Sequence, residues 1–353
     1  MNLPINPPLA PMLAKLQPDI PEGPGWLYEP KWDGFRAIVF RDGSDLEVCS
    51  RDKRPLQRYF PELLPVLCDI LPDRCVVDGE IIIATSDGLD FDSLQLRLHP
   101  AESRVRKLAG EIPASYVAFD LLALGDDNLC VEPFKRRRDL LERKLAGVGA
   151  ATYEFLANVR RLESTVLLTP QTADTAEARR WFDDFERIHL EGIVAKREDQ
   201  TYLPGDRAMV KVKHHRTVDC VVGGYRKQSK GEGLGSLLLG LYDDAGVLHY
   251  VGHTSSFSRS EAQVVLDKLR PLEGGESFGW GRSPGGQSRW SQGRETEWVN
   301  IAPQLVCEVQ FDYLQGDRFR HAARFLRWRD DKPPRECTWE QLKLGASPKP
   351  SAS

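Results

Sequence analysis

Apolar and polar positions alternate over short runs through most of the chain, and helical spacing interrupts them in a few places. Residues 25–39 and 46–50 read as strands around a turn at Asp42-Gly43. Residues 61–71 put Leu63, Leu64, Leu67 and Leu71 on one side of a helix. Residues 75–84 are β-branched around a central Asp78-Gly79-Glu80, and 115–122 form another strand candidate. Residues 134–145 make a charged amphipathic helix that Pro133 suits at its start. Asp174-x-x-Glu177 resembles a capping box ahead of a helix through Phe185. Short strands follow at 192–196 and 209–213.

The polar run 214–217 is a hinge candidate. Beyond it the pattern becomes short strands at 219–225, 236–242, 247–252, 306–313 and 325–328. Ser258-x-x-Glu261 opens one helix, with Ala262, Val265, Leu266 and Leu269 on one face. Five short strands and a helix suit a small OB-type barrel, and the Gly- and Ser-rich stretch 274–294, with Trp280 and Trp290, reads as an inserted loop. The expected organisation is an α+β domain over 1–213, a hinge at 214–217, an OB-fold domain over 218–345 and a disordered tail at 346–353.

Composition narrows the class. With 353 residues the chain has the length of two domains, and 41% hydrophobic residues exclude a disordered or fibrous protein. Apolar runs such as 81–84 are too short to span a bilayer. The first residues have neither a basic start nor a continuous apolar stretch, so no signal peptide is expected. Seven cysteines, none in a CxxC, fit buried thiols in a reducing cytoplasm. The net charge of −4 argues weakly against a nucleic-acid partner, although the basic residues beyond residue 213 are mostly Arg, which binds phosphate bidentately.

The strongest chemical signal is Lys31-Trp-Asp-Gly-Phe-Arg36. A Lys beside a tight Asp-Gly turn can act as a covalent nucleophile once desolvation or neighbouring cations help it shed a proton. Arg36 could then hold a phosphate; the plainer alternative is a hairpin with two exposed cations. Glu80 and Glu191 are carboxylates beside glycines, and hard oxygen ligands suit Mg²⁺; alternatively they are solvated strand-end acids. Lys211 and Lys213 share one strand face, where an anion between them would relieve their repulsion; an edge strand kept soluble by Lys has the same pattern. Phe119 and Trp32 read by default as core residues.

Taken together, these motifs resemble the covalent nucleotidyltransferases: ATP-dependent DNA ligases, RNA ligases and mRNA capping enzymes. Lys31-Trp-Asp-Gly-Phe-Arg36 is similar to their nucleotidyl-acceptor motif, and the others follow in order. Ser50-Arg51 matches the ribose- or phosphate-contacting motif. Asp78-Gly-Glu80 matches the first carboxylate motif, and Tyr116-Val-Ala-Phe119 the one whose aromatic stacks on the purine. Glu191-Gly-Ile193-Val-Ala-Lys196 matches the second carboxylate motif. Val210-Lys211-Val-Lys213 matches the phosphate-binding lysines, and Arg327-Trp-Arg329-Asp-Asp-Lys332 the C-terminal motif. Glu29 stands where the family reads the adenine amino group. Gly223-Gly-Tyr225, Gly235-Ser-Leu-Leu-Leu-Gly240 and Val251-Gly-His-Thr254 resemble bacterial ATP-dependent DNA ligases, of the ligase C and ligase D type.

The resemblance implies an α+β nucleotidyltransferase domain, with antiparallel sheets and flanking helices, followed by a β-barrel OB-fold domain. This would be the family's minimal two-domain core. It implies ATP and Mg²⁺ or Mn²⁺ as cofactors, with Lys31 as the nucleophile and the metal at Glu80 and Glu191. Lys211 and Lys213 would take the α-phosphate. Glu29, Arg36, Arg51, Phe119 and Ile193 would line the nucleotide site, and Arg327, Arg329 and Lys332 would orient pyrophosphate. The implied substrate is nicked double-stranded DNA, in repair, sealed by a monomer in the cytoplasm at the nucleoid, with a DNA repair polymerase as partner. The alternatives are an RNA ligase, a GTP-dependent capping-type enzyme, or a catalytically dead OB-fold binding protein.

Overall fold

A computed structural model describes residues 1–85, 88–152, 162–185, 190–214, 216–228, 233–278, 298–312 and 314–343. The chain divides into two units, Met1–His214 and His215–Ser353. In the first unit the main strands are β1 (Leu13–Leu16), β2 (Trp26–Pro30), β3 (Phe35–Asp42), β4 (Asp45–Ser50), β5 (Arg74–Ile82), β6 (Ser115–Leu124), β7 (Val166–Leu168), β8 (Gly192–Arg197) and β9 (Arg207–Lys213). They form two sheets, ordered β1-β9-β8-β2 and β7-β6-β5-β3-β4. Pairing is antiparallel except between β1 and β9 and between β7 and β6.

Residues 25–39 are two strands in different sheets, a correction to the reading from sequence. The chain leaves the first sheet after Pro30 and enters the second at Phe35. Gly34 makes this crossing possible: a Cβ there would lie 2.2 Å from the Ile81 carbonyl oxygen. The β3–β4 hairpin turns at Gly43, whose φ is +64°.

Helices α1 (Leu63–Ile70), α2 (Phe91–Leu96), α3 (Glu102–Glu111), α4 (Phe134–Lys144) and α5 (Thr175–Phe185) belong to the same unit. α1 buries Leu63 and Leu67, as its spacing predicts. α2 and α3 were not expected; α3 buries Val105 alone and has few apolar residues to mark it. Ahead of α5 the expected reciprocal box is replaced by a relay. Asp174 accepts from the Ala176 N–H, while Glu177 accepts from the Thr172 hydroxyl, which itself accepts from the Asp174 N–H.

The core draws on both sheets. Tyr28, Ile193, Ala195, Val210 and Val212 of the first sheet cluster with Ile82, Val117 and Phe119 of the second. Met12 and Met209 cluster with Ile38, Phe40, Val76 and Leu122. The two sheets are thereby packed together.

The second unit contains β10 (Arg216–Lys227), β11 (Leu234–Tyr242), β12 (Leu248–Thr254), β13 (Val299–Phe311) and β14 (Arg324–Trp328), ordered β12-β11-β10-β13-β14 and antiparallel throughout. Thr254 at the end of β12 bridges Ala323 just before β14, so the two outer strands meet and the sheet curls into an OB-type barrel. α6 (Arg259–Leu269) carries the full Ser258–Glu261 capping box and buries Ala262, Val265, Leu266 and Leu269. Arg216 and Thr217 already belong to β10, so the strand starts inside the expected hinge. Tyr313, most of the 274–294 insertion with Trp280 and Trp290, and the tail 346–353 lie outside the described residues. All seven cysteines are free thiols. No helix among the described residues is long and apolar enough to cross a membrane.

Candidate active site

The crossing segment between the two sheets carries Lys31. Its backbone is pinned on both sides: the Lys31 N–H donates to the Gly192 carbonyl at 2.8 Å and the Glu191 N–H donates to the Lys31 carbonyl at 3.2 Å. Gly192 is required at this seam, with φ +141° and no room for a Cβ, which would sit 2.1 Å from the Val212 carbonyl. The Lys31 ammonium is ion-paired with Glu191, and Lys213 reaches the same carboxylate at 3.2 Å. Burial works to raise the Glu191 carboxyl, but the two lysines outweigh it and hold it below the ordinary range.

Beside Lys31 opens a cavity of about 200 Å³. It brings together Glu29, Lys31, Arg36, Arg51, Glu80, Phe119 and Lys211 from segments spread over 180 residues of sequence. Trp32, Lys196 and Arg207 line it as well. Each wall has a cause in strand parity. On β9, Arg207, Met209 and Lys211 are two apart and share the cavity face. On β8, Val194 and Lys196 face the cavity while Ile193 and Ala195 are fully buried in the core. The Ile193 side chain is therefore not a cavity wall, and Val194 takes that place.

Charge is unevenly distributed around this space. Glu80 has no hydrogen-bond partner among the described residues, and burial pushes its carboxyl up to about 8 in spite of Arg36 and Lys31. Arg36 donates from Nε and Nη2 to the two oxygens of Asp78, each at 2.6 Å, and the Tyr202 hydroxyl donates to Asp78 at 2.6 Å. Asp78 is fully buried. Burial alone would lower the Arg36 pKa, but Asp78 more than offsets this and raises it, so the guanidinium stays charged. Burial, then Lys31 and Lys213, push the Lys211 ammonium down.

Phe119 and Glu29 are held by cations. The Phe119 ring lies 4.4 Å from the Arg36 guanidinium and 4.8 Å from the Lys196 ammonium. Glu29 accepts from Lys196 at 2.6 Å and from Gln171 at 2.9 Å, with Arg138 at 3.5 Å. Lys196 and Asp78 stand in motifs quoted from the sequence but had no role there, and Gln171, Arg138 and Arg207 were not singled out. Arg207 was legible in principle, since it lies an even number of residues from Lys211 on its own strand.

The C-terminal motif lies in the second unit. Arg327 is paired through Nε with Glu308 at 2.7 Å, and its side chain is 61% exposed. Arg329 is held by Asp219 and Asp331, and Lys332 lies 3.7 Å from Asp219.

Comparison with known proteins gives a consistent picture. A family model described as an ATP dependent DNA ligase domain matches residues 8–213, and one described as an ATP dependent DNA ligase C terminal region matches residues 230–332. DNA ligase C of Mycobacterium tuberculosis is 48% identical, over 97% of this chain and 96% of its own length. DNA ligase C2 of Mycolicibacterium smegmatis is 47% identical over the same shares. Among solved structures, one of the Lig E DNA ligases is 19% identical, covers 91% of this chain and 99% of its own, and superposes with a TM-score of 0.54.

Proposed function

The chain belongs to the ATP-dependent DNA ligase family, and from that premise we propose that it seals nicks in duplex DNA through a lysyl-AMP formed on Lys31. The observation that carries the assignment of Lys31 is its position: a Lys pinned by backbone at the edge of a cavity that also holds Glu29, Arg36, Arg51, Glu80, Phe119 and Lys211. In the first step the Lys31 Nζ lone pair attacks the α-phosphate of ATP, and pyrophosphate leaves. AMP then passes to the 5′-phosphate of the nick. The 3′-hydroxyl attacks that activated phosphate and AMP is released.

The protein's part is positioning and charge neutralisation. Lys211 stands among Lys31, Lys213 and Arg51, and a phosphate entering there relieves the repulsion that depresses its ammonium. Arg36 is rigid because Asp78 holds two of its donors, so it offers a fixed charge to ribose or phosphate. Glu29 and Phe119 are the residues we assign to the adenine ring, with Lys196 fixing both.

A divalent cation fits Glu80. That carboxyl lines the cavity, lacks a hydrogen-bond partner among the described residues, and is pushed up by burial, so a cation beside it would favour its ionised form. Glu191 would share its oxygens between the metal and two lysines. Bound there, Mg²⁺ or Mn²⁺ supplies neutralisation of phosphate charge.

In this reading 214–217 is the hinge between the 1–213 adenylation domain and the 218–345 OB-fold domain, whose Arg327, Arg329 and Lys332 attend the pyrophosphate. DNA contact is to backbone and shape, hence salt-sensitive. The enzyme acts as a cytoplasmic monomer alongside a repair polymerase.

The test is intact-protein mass after incubation with ATP, Mg²⁺ and pyrophosphatase, with GTP in parallel, followed by sealing of nicked DNA against nicked RNA. One AMP adduct, lost in Lys31→Ala and Lys31→Arg, is expected, because Arg is not a usable nucleophile at neutral pH. An adduct that survives Lys31→Ala overturns the nucleophile. A GMP adduct or RNA-selective sealing moves the function to the capping or RNA-ligase reading, and no adduct with either nucleotide leaves a binding module.

A further inference from the structure

Three donors close on Glu29. Gln171 Nε2 donates to Oε1 at 2.9 Å, and Lys196 Nζ donates to Oε2 at 2.6 Å. Arg138 Nη1, buried and without a hydrogen-bond partner among the described residues, lies 3.5 Å from Oε1. Glu29 is buried yet lines the cavity, whereas Gln171 and Arg138 stand behind it, outside that lining.

These donors differ in what they fix. Lys196 is a point charge on a flexible stem, and its ammonium is shared with the Phe119 and Phe134 rings at 4.8 and 4.6 Å. It secures Oε2 but leaves the carboxylate plane free to turn about that oxygen. Gln171 has a planar amide, presented by backbone that is itself tied down. Thr172 exchanges both backbone hydrogen bonds with Tyr28, at 2.8 and 3.0 Å. Trp32 Nε1 donates to the Thr169 hydroxyl at 2.9 Å, and Arg138 Nη2 donates to the Thr169 carbonyl at 2.6 Å. Residues 169–172 are thereby fastened to both ends of the stretch 28–32, which carries Glu29 and Lys31. Gln171 lies within that loop and supplies the second fixed point. Two points on its oxygens set the plane of the Glu29 carboxylate.

A carboxylate has roughly four acceptor positions and no donor. Two are taken by Gln171 and Lys196, which leaves acceptors for the cavity. Such a group suits the 6-amino donor of adenine and repels a 6-carbonyl, provided its oxygens are aimed at that edge of the base. We propose that Gln171 is a positioning residue that sets nucleobase selection: it orients Glu29 so that the adenine amino group is accepted and a 6-carbonyl purine is rejected. The proposal rests on the reading that Glu29 meets the adenine ring.

The experiment follows single-turnover formation of the lysyl-nucleotide by protein first stripped of AMP with pyrophosphate, over a range of ATP and of ITP. ITP carries a 6-carbonyl and an N1 proton in place of the amino group. Gln171→Met keeps the length of the side chain and removes the donor. In that variant half-saturating ATP should rise about tenfold, with the saturating rate within about twofold of wild type. Efficiency with ITP should stay within about twofold, so the preference for ATP over ITP falls about tenfold. An unchanged preference overturns the proposal, and so does an equal loss for both nucleotides, which is what slackening of the loop alone would give. Glu29→Ala should lose the preference by itself, and adding Gln171→Met to it should change nothing beyond about twofold. Multiplied defects would mean that Gln171 acts by another route, and they overturn the proposal. A preference retained in Glu29→Ala refutes the adenine assignment of Glu29 and the proposal with it. A preference lost there but intact in Gln171→Met refutes the proposal alone.

Discussion

Asp78 sits within the first of the two carboxylate motifs that the resemblance implies, yet its geometry makes it a residue of the fold. Replacing it with Ala leaves the Arg36 guanidinium beside the Tyr202 hydroxyl, with the Met12 carbonyl at 3.4 Å as its remaining acceptor. Removing one partner of a buried charge pair costs about 3–5 kcal/mol. In a unit of this length that corresponds to a drop in melting temperature of roughly 6–20 °C. Tyr202→Phe removes one hydroxyl that also accepts from the Met12 N–H at 2.9 Å, and should cost about 1–2 kcal/mol. Arg36→Met with Asp78→Leu removes both charges and keeps much of the volume, so the pair should recover roughly 1–3 kcal/mol relative to Asp78→Ala. Thermal unfolding followed by circular dichroism, together with urea unfolding by tryptophan fluorescence, gives all three values. The double variant should melt above Asp78→Ala but form no AMP adduct, since it lacks the Arg36 charge. If Asp78→Ala melts with the wild type, or the double variant melts below it, the buried pair is not what secures β3 to β5 and the reasoning fails.

Two further outcomes are expected. Gly34→Ala forces a Cβ to within 2.2 Å of the Ile81 carbonyl and 2.8 Å of Glu80 Cγ, so the crossing segment must shift; lysyl-AMP formation should fall by about 100-fold, and an unchanged rate would show the segment to be slack. Burial pushes the Cys49, Cys75 and Cys337 thiols up to about 12 and Cys130 up to about 11, so at pH 8 all four stay protonated and slow to react. Titration with dithiobis(nitrobenzoate) should find a fast native phase of no more than one thiol, the half-buried Cys68, and seven in denaturant; a larger fast phase would contradict the burial.

The sequence reading located the chemistry better than the connections. Glu80 and Glu191 could be picked out because each is a carboxylate beside a glycine, Lys31 by the Asp-Gly turn that follows it, and Lys211 by a second Lys two residues on. What local pattern cannot report is the partner across a sheet. β1 was not anticipated, because Leu13–Leu16 acquires its place by pairing in parallel with β9, nearly two hundred residues away. Alternation on β8 separates Ile193 and Ala195 from Val194 and Lys196, but periodicity alone does not say which pair faces the cavity; the structure lines it with Val194 and Lys196 and buries Ile193. Arg329 shows the same limit for charge: its type announces an anion, and the anions it meets are carboxylates of its own unit.

The first sheet also has a consequence for how the protein is made. β1 and β2 lie near the start of the chain, and their hydrogen-bonded neighbours β9 and β8 lie near the end of the first unit. A ribosome adding about 5–20 residues per second therefore exposes Leu13–Pro30 for on the order of ten seconds or more before the partner strands emerge. Over that interval the second sheet, whose strands are closer in sequence, can form alone, while Lys31 hangs beside an unfinished edge. The last elements to arrive bring Glu191, Lys211 and Lys213, the groups that surround Lys31. A nascent or prematurely terminated chain short of these strands thus holds Lys31, the proposed nucleophile, without its setting, so the site is completed as one of the final events of synthesis of this unit.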